Sequence, residues 1–164
     1  MKKVFLVCFL CIGISAASFA QARIGGMLGY GSETEQWGLG VNGEFFFHER
    51  MAITPSLFFY FPETHGGFKF SYWEANGDFH YYFLSQDVVS LYGLAGLNLT
   101  TAKVRRDNNF IDGGESSNSE AGINLGFGAN LKLGSIIPFG ELKYVAGDID
   151  QAVLFVGLKF PLRD

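Results

Sequence analysis

The chain has 164 residues, enough for one domain with its own core and too few for two. Hydrophobic residues make up 48% of it and charged residues 17%, against about 25% charged residues in a typical soluble domain. With 16 acidic and 12 basic residues the formal net charge is −4, which argues against a nucleic-acid partner. Glycine (22) and phenylalanine (18) are both frequent. Because glycine weakens helices and phenylalanine favours strands, this composition indicates an all-β chain.

The first twenty residues have the pattern of a secretory signal peptide. Met1-Lys2-Lys3 is a short basic start, and Val4 to Ala17 is almost wholly apolar. Ser18-Phe19-Ala20 then places small residues at positions −3 and −1 of a cleavage site. We therefore predict a cleaved leader over 1–20 and a single mature domain over 21–164.

The predicted mature domain has neither a disulfide nor an apolar helix. Both cysteines, Cys8 and Cys11, lie in the leader. Loss of Lys2 and Lys3 leaves 10 basic and 16 acidic residues, a net charge of −6. After the leader no apolar run reaches the roughly 18 residues that a spanning helix needs. Any membrane-spanning part is therefore expected to consist of strands.

Apolar and polar residues alternate with a period of two along almost the whole mature sequence, which predicts strands. Most of these segments have about the 9–11 residues that a tilted transmembrane strand needs. Eight segments are predicted: 22–31, 36–47, 51–61, 69–83, 88–100, 119–132, 138–147 and 151–162.

The two faces of the predicted strands differ in a way that indicates a membrane barrel. One face carries large apolar residues, such as Leu125 and Phe127, and the other carries glycine, asparagine and single charges, such as Asn124 and Asn130. A soluble barrel would expose many Lys, Glu, Ser and Thr on its polar face. Small and polar residues suit instead the narrow interior of a membrane barrel, whose apolar faces contact lipid. Phe155 breaks this pattern in the last segment.

Nine ionisable residues belong to the predicted inward face. Buried charges are tolerated when they are paired and hydrogen-bonded, and the acidic and basic members of this set nearly balance. The balance favours a filled, non-conducting lumen, with an ion or proton path as the alternative. The set is Arg23, Glu44, Glu74, Asp78, His80, Lys132, Glu141, Lys143 and Lys159.

A long polar stretch, Thr101 to Asn118, is predicted as an outside loop, and short links near 48–50, 84–87 and 133–135 as turns at the opposite end. Loops on a rigid scaffold usually carry binding. The candidate anchors are Arg105 and Arg106, because guanidinium groups bind phosphates and carboxylates through two hydrogen bonds.

These features resemble the small outer-membrane β-barrel proteins of the OmpX/OmpA type. The resemblance rests on the leader, the eight alternating segments, residues 72–83, 91–98 and 141–144, and a last strand that ends at Phe160. It implies an all-β, eight-stranded antiparallel up-and-down transmembrane β-barrel in the outer membrane of a Gram-negative-type envelope. It also implies lipopolysaccharide as a neighbouring lipid, and periplasmic chaperones and the barrel-assembly machinery as partners during export.

The predicted function is that of a non-enzymatic integral outer-membrane protein, with a structural, adhesive or surface-recognition role carried by its outside loops. One alternative is a soluble exported barrel of the lipocalin kind that binds an apolar ligand in its interior. Another is a lipid-modifying barrel enzyme, which would need a serine, a histidine and an acid brought together. No catalytic residue, metal ligand or cofactor is predicted.

Overall fold

The computed structural model describes residues 21–65, 68–106, 116–147 and 150–162. The predicted leader and residues 107–115 of the predicted loop lie outside these ranges. The described residues form strands with these bounds: β1 Gln21–Gly31, β2 Gln36–His48, β3 Met51–Tyr60, β4 Glu63–His65, β5 Phe68–Ser85, β6 Val89–Arg106, β7 Ser116–Leu131, β8 Ile137–Ala146 and β9 Gln151–Pro161. Among these residues there is no helix long and apolar enough to cross a membrane.

The strands form one antiparallel sheet that closes on itself. Neighbours in the chain are neighbours in the sheet, and β1 also pairs with β9, from Arg23↔Pro161 to Gly31↔Val153. The short β4 follows β3 after a break at Phe61 and Pro62 and pairs with the start of β5, from Phe68 to Phe70. β3 itself pairs with a later part of β5, from Trp73 to Tyr81. The predicted eight-stranded up-and-down barrel is therefore confirmed, with β4 as an addition.

The barrel has two ends that differ in their connections. The terminal end, as we name it, carries both ends of the described chain and the links 49–50, 86–88 and 132–136. At the opposite end, named the loop end, lie the last residues of β1, β3, β6 and β8.

Burial alternates along each strand and places the apolar residues outside. On β7, Phe127 is 62% exposed whereas Asn124 and Asn130 are completely buried. Leu154, Val156 and Leu158 on β9 face outward in the same way. The predicted inverted phasing is confirmed. A lipocalin would line its interior with this apolar face, so nothing in the phasing favours the soluble-barrel alternative.

Phe155 lies in the lumen and continues the alternation that it was predicted to break. It is 1% exposed and stands opposite Gly29 on the neighbouring strand. A Cβ atom added to Gly29 would lie 2.5 Å from the Phe155 ring. The glycine makes room for the ring, which is why a large residue occupies an inward position there.

The prediction of a loop over residues 101–118 is wrong at both of its ends. β6 continues to Arg106 and β7 begins at Ser116, with Val104 paired to Ser116. Both faces of these segments carry polar residues, which is why their sequence predicted a loop. Such residues also suit strands that have water on both sides. We name as the projecting sheet β4 with residues 68–72 of β5, 102–106 of β6 and 116–122 of β7. It extends the barrel wall by roughly 15 Å beyond the last β3–β5 pair, Phe59↔Trp73.

Candidate functional site

Glu44 on β2 is the centre of the polar network at the terminal end of the lumen. It is completely buried. Arg23 Nη1 lies 3.0 Å from its Oε2 atom, and Lys159 Nζ lies 3.1 Å from Oε1. The Tyr82 hydroxyl donates to Oε1 at 2.5 Å, and His80 Nδ1 lies 3.2 Å from the same oxygen. Side chains from β1, β5 and β9 thus converge on one carboxylate, which ties four strands together across the lumen.

His80 and Tyr92 connect this network to a second carboxylate, that of Glu141 on β8. The imidazole ring stacks on the Tyr92 ring, with 4.5 Å between centroids. The Tyr92 hydroxyl donates to Glu141 Oε2 at 2.7 Å, and His80 Nε2 lies 3.9 Å from the same oxygen. The stacking on Tyr92 and the contact of Nδ1 with Glu44 hold the histidine ring in place.

Glu74 organises the polar residues nearer the loop end. The Tyr60 hydroxyl and Gln151 Nε2 each donate to its Oε1 atom at 2.7 Å, and Asn98 Nδ2 donates to Oε2 at 3.3 Å. All three donors are neutral. This carboxylate is therefore stabilised by hydrogen bonds from amide and phenol groups.

Asp78 and Lys143 lie between Glu44, nearer the terminal end, and Glu74, nearer the loop end. Asn124 Nδ2 donates to Asp78 Oδ1 at 2.7 Å and to Asn76 Oδ1 at 2.9 Å. Lys143 Nζ is 3.9 Å from Asp78 Oδ2 and lies over the Phe155 ring, 5.1 Å from its centroid. The predicted inward residues other than Lys132 are thus brought together in the lumen.

Lys132 does not point into the lumen, which contradicts its predicted place in the network. β7 ends at Leu131, so Lys132 lies beyond the part of the strand whose alternation assigned it inward. Its Nζ atom donates to Ser85 Oγ at 3.1 Å and to the Gln86 carbonyl at 2.9 Å. It therefore links two turns at the terminal end, in contact with solvent.

Aromatic rings fill the lumen in two clusters. Nearer the loop end, Phe58 packs edge-on against Tyr60 and Phe155, with centroids 4.9 and 5.0 Å away. Nearer the terminal end, Tyr82 and Tyr92 pack at 5.1 Å. All five side chains are at most 3% exposed. Rings and paired charges together occupy the interior.

We expect the barrel to show no large, stable single-channel conductance in planar bilayers. Eight strands enclose an interior only wide enough for side chains or one small ligand, and here rings and charges fill it. Protein-free bilayers set the baseline. Reproducible passage of sugars in a liposome-swelling assay would contradict the expectation.

The candidate surface residues Arg105 and Arg106 lie on β6 in the projecting sheet, not in a loop. Arg105 pairs with Lys69 of β5 and Arg106 with Phe68, while Lys103 pairs with Ser71. Because side chains alternate along strands, the positions of Lys69, Lys103 and Arg105 share one face of the sheet. Lys69 and Lys103 were missed by the sequence analysis. The basic residues at the alternating positions 103 and 105 were the sequence feature that could have indicated Lys103.

The described residues contain no candidate metal centre. Within these ranges, no three His, Cys, Asp or Glu side chains are grouped so that they could hold a metal ion.

No protein-family model matches the chain, and no curated protein matches it in sequence. Solved structures do. Ail, the attachment invasion locus protein of Yersinia pestis, superposes with a TM-score of 0.59 at 17% identity, covering 87% of this chain and 97% of Ail. Ail in complex with the heparin analogue sucrose octasulfate gives 0.63 at 16% identity, with the same coverage. Neisserial surface protein A gives 0.66 at 14% identity, covering 85% of this chain and 95% of that protein.

The chain therefore has the fold of the small eight-stranded outer-membrane β-barrel proteins. Its closed antiparallel wall, its apolar outer face and its filled polar lumen agree with that class. Identities of 14–17% establish the fold alone.

Proposed function

We propose that the protein is a non-enzymatic surface-recognition protein of the outer membrane, and that its projecting sheet binds polyanions. The observation that carries the proposal is the group of basic residues at adjoining positions of β5 and β6: Lys69, Lys103, Arg105 and Arg106. The lumen takes no part, because its buried carboxylates are bound by side chains of the lumen itself.

The basic group is suited to sulfate or phosphate groups spaced along a chain or a surface. Lys69 stands directly opposite Arg105, and Lys103 lies two residues from Arg105 on the same face. Arginine can hold such anions with two hydrogen bonds and lysine as a point charge. The net charge of the whole chain is −4, so this local excess of basic residues stands out against its background.

Two further points support a polyanionic ligand. Ail, whose fold the chain shares, forms a complex with a heparin analogue. With both chain ends on the periplasmic side, the projecting sheet stands outside the cell. There it adjoins the phosphates of lipopolysaccharide and can meet sulfated saccharides on another cell. The cleaved leader, the periplasmic chaperones and the barrel-assembly machinery stay predictions from the sequence.

The proposal is tested by neutralising the basic group in one variant, Lys69→Gln, Lys103→Gln, Arg105→Gln and Arg106→Gln. Purified protein in nanodiscs is titrated with sucrose octasulfate or heparin. Exposed charges contribute about 0.2–1 kcal/mol each, so the loss of four should weaken binding by between about fourfold and several hundredfold. Binding by the unaltered protein should also weaken steeply with added salt.

A matched control neutralises basic residues at the terminal end, Arg50→Gln with Lys132→Gln, and should leave binding unchanged. Heat-modifiable migration in gels shows that each variant keeps its barrel. Polyanion binding that survives the fourfold change, or no binding by the unaltered protein, would overturn the proposal.

A further inference from the structure

A groove of about 440 Å³ lies in the outer wall where β1, β2, β3 and β5 adjoin. It lies on the apolar outer surface, away from the lumenal network and from the projecting sheet. Its apolar lining consists of Ile24, Val41, Gly43, Pro55, Leu57 and Ala75.

Small residues at outward positions form the groove. Ala75 has one carbon and Pro55 keeps its ring close to the backbone, while the Phe45 ring lies over Gly43, where a Cβ atom would meet it at 2.9 Å. Gly77, the partner of Pro55 on β5, adds to the opening, since a Cβ placed there would meet nothing within 4 Å. The inward-facing Asn42 also lines the groove, so the groove reaches down to the wall itself.

The pairing of β2 with β3 is interrupted at the groove. Pairing between β2 and β3 runs to Asn42↔Ser56 and resumes at Phe45↔Ile53, so Pro55 has no partner on β2 in this described part of the wall. Proline has no N–H to donate to a ladder. A preformed depression therefore coincides with an interruption of the sheet.

We propose that this groove is a binding site for one acyl chain of a membrane lipid. The groove opens onto the apolar outer face, where Val41 and Leu57 are 55% and 42% exposed. It is thus continuous with the surface that contacts the bilayer. A chain lying in it touches protein on more than one side, whereas a chain on a convex wall touches it on one. More atom pairs are then in dispersion contact.

The depth of the groove identifies the acyl chain, and not the headgroup, as the bound part. Gly43 lies five residues before the end of β2 at His48, about 16 Å along the strand from the terminal end. The outward residues between them, Phe45 and Phe47, are aromatic. The groove is therefore inside the apolar band, in the half of the membrane nearer the terminal end.

The test compares two Ala→Trp changes on the membrane face. Ala75→Trp fills the groove, while Ala129→Trp adds the same bulk on β7, outside it. Each protein is folded into nanodiscs of phosphatidylcholine and released into the gas phase for native mass spectrometry. The unaltered protein and Ala129→Trp should each retain one phospholipid, and Ala75→Trp should lose it. Exchanging phosphatidylcholine for phosphatidylglycerol should leave retention unchanged.

Three results would overturn the proposal. The first is equal retention by the two tryptophan variants, provided both show heat-modifiable migration. The second is retention that follows the headgroup and ignores Ala75→Trp. The third is a dimer of the unaltered protein that chemical crosslinking detects in nanodiscs and that Ala75→Trp abolishes, because the occupant would then be a second copy of the chain.

Discussion

Replacing Val156 by arginine should lower the free energy of unfolding by about 2–4 kcal/mol. Val156 lies in the middle of β9, 49% exposed, and pairs with Leu28 of β1 and Gly140 of β8. Its outward position places an introduced guanidinium in hydrocarbon, where a charge loses its hydration. Denaturant titration of the protein folded into phosphatidylcholine vesicles measures the change.

Leu162→Arg is the matched control on the same segment of chain. Leu162 follows the last residue of β9 and is 59% exposed, at the level of the terminal end. A charge near the interface costs only about 0–1 kcal/mol. If Val156→Arg and Leu162→Arg were equally well tolerated in inserted barrels, the outward face of β9 would not lie in the bilayer.

Replacing Glu44 by glutamine should destabilise the barrel by about 3–5 kcal/mol, the range for removing one partner of a buried ion pair. The change leaves Lys159, 0% exposed, and Arg23 facing a neutral amide. The amide keeps only one of the two acceptor oxygens, so its NH2 group must face either Arg23 or the Oε1 partners Tyr82, His80 and Lys159. The same vesicle titration reports the loss.

The double variant Glu44→Gln with Lys159→Met separates lost charge pairing from lost packing. Removing the lysine together with the carboxylate should restore part of the stability, which a double-mutant cycle quantifies. Glu49→Gln, at an exposed position in the turn after β2, serves as a surface control and should change stability by less than about 0.5 kcal/mol. A Glu44→Gln barrel as stable as the Glu49→Gln barrel would show that the carboxylate is not the centre of the network.

The strands within the membrane could be predicted because both of their faces are constrained. Lipid selects large apolar residues outside, and the narrow lumen selects small or paired polar residues inside, so a period of two survives in the sequence. The projecting sheet could be predicted only in part. Its residues 69–72 and 119–122 fall in predicted segments, whereas 102–106 and 116–118 carry no alternation of large apolar residues, because no lipid-facing side requires one.

The lumenal residues followed from the same alternation, but their partners did not. Lys159 and Glu44 are 115 positions apart and meet only through closure of the barrel. The misplacement of Lys132 shows a second limit, because alternation gives the phase of a strand and not the residue at which it ends. The inward position of Phe155 could not be predicted from its own strand, because the ring occupies space that Gly29 leaves on another strand.

The pairing of β1 with β9 has a consequence for how the molecule is made. The two strands are the first and last of the described chain, so the ring cannot be completed until the whole domain has been synthesised. Contacts of this sequence separation form slowly, since a long loop must be closed before they stabilise anything. Until that moment Glu44 lacks Lys159, and an open sheet in lipid would expose bare charges and unpaired edges. Insertion is therefore expected to be a single concerted event of an already exported chain, with few stable partial barrels.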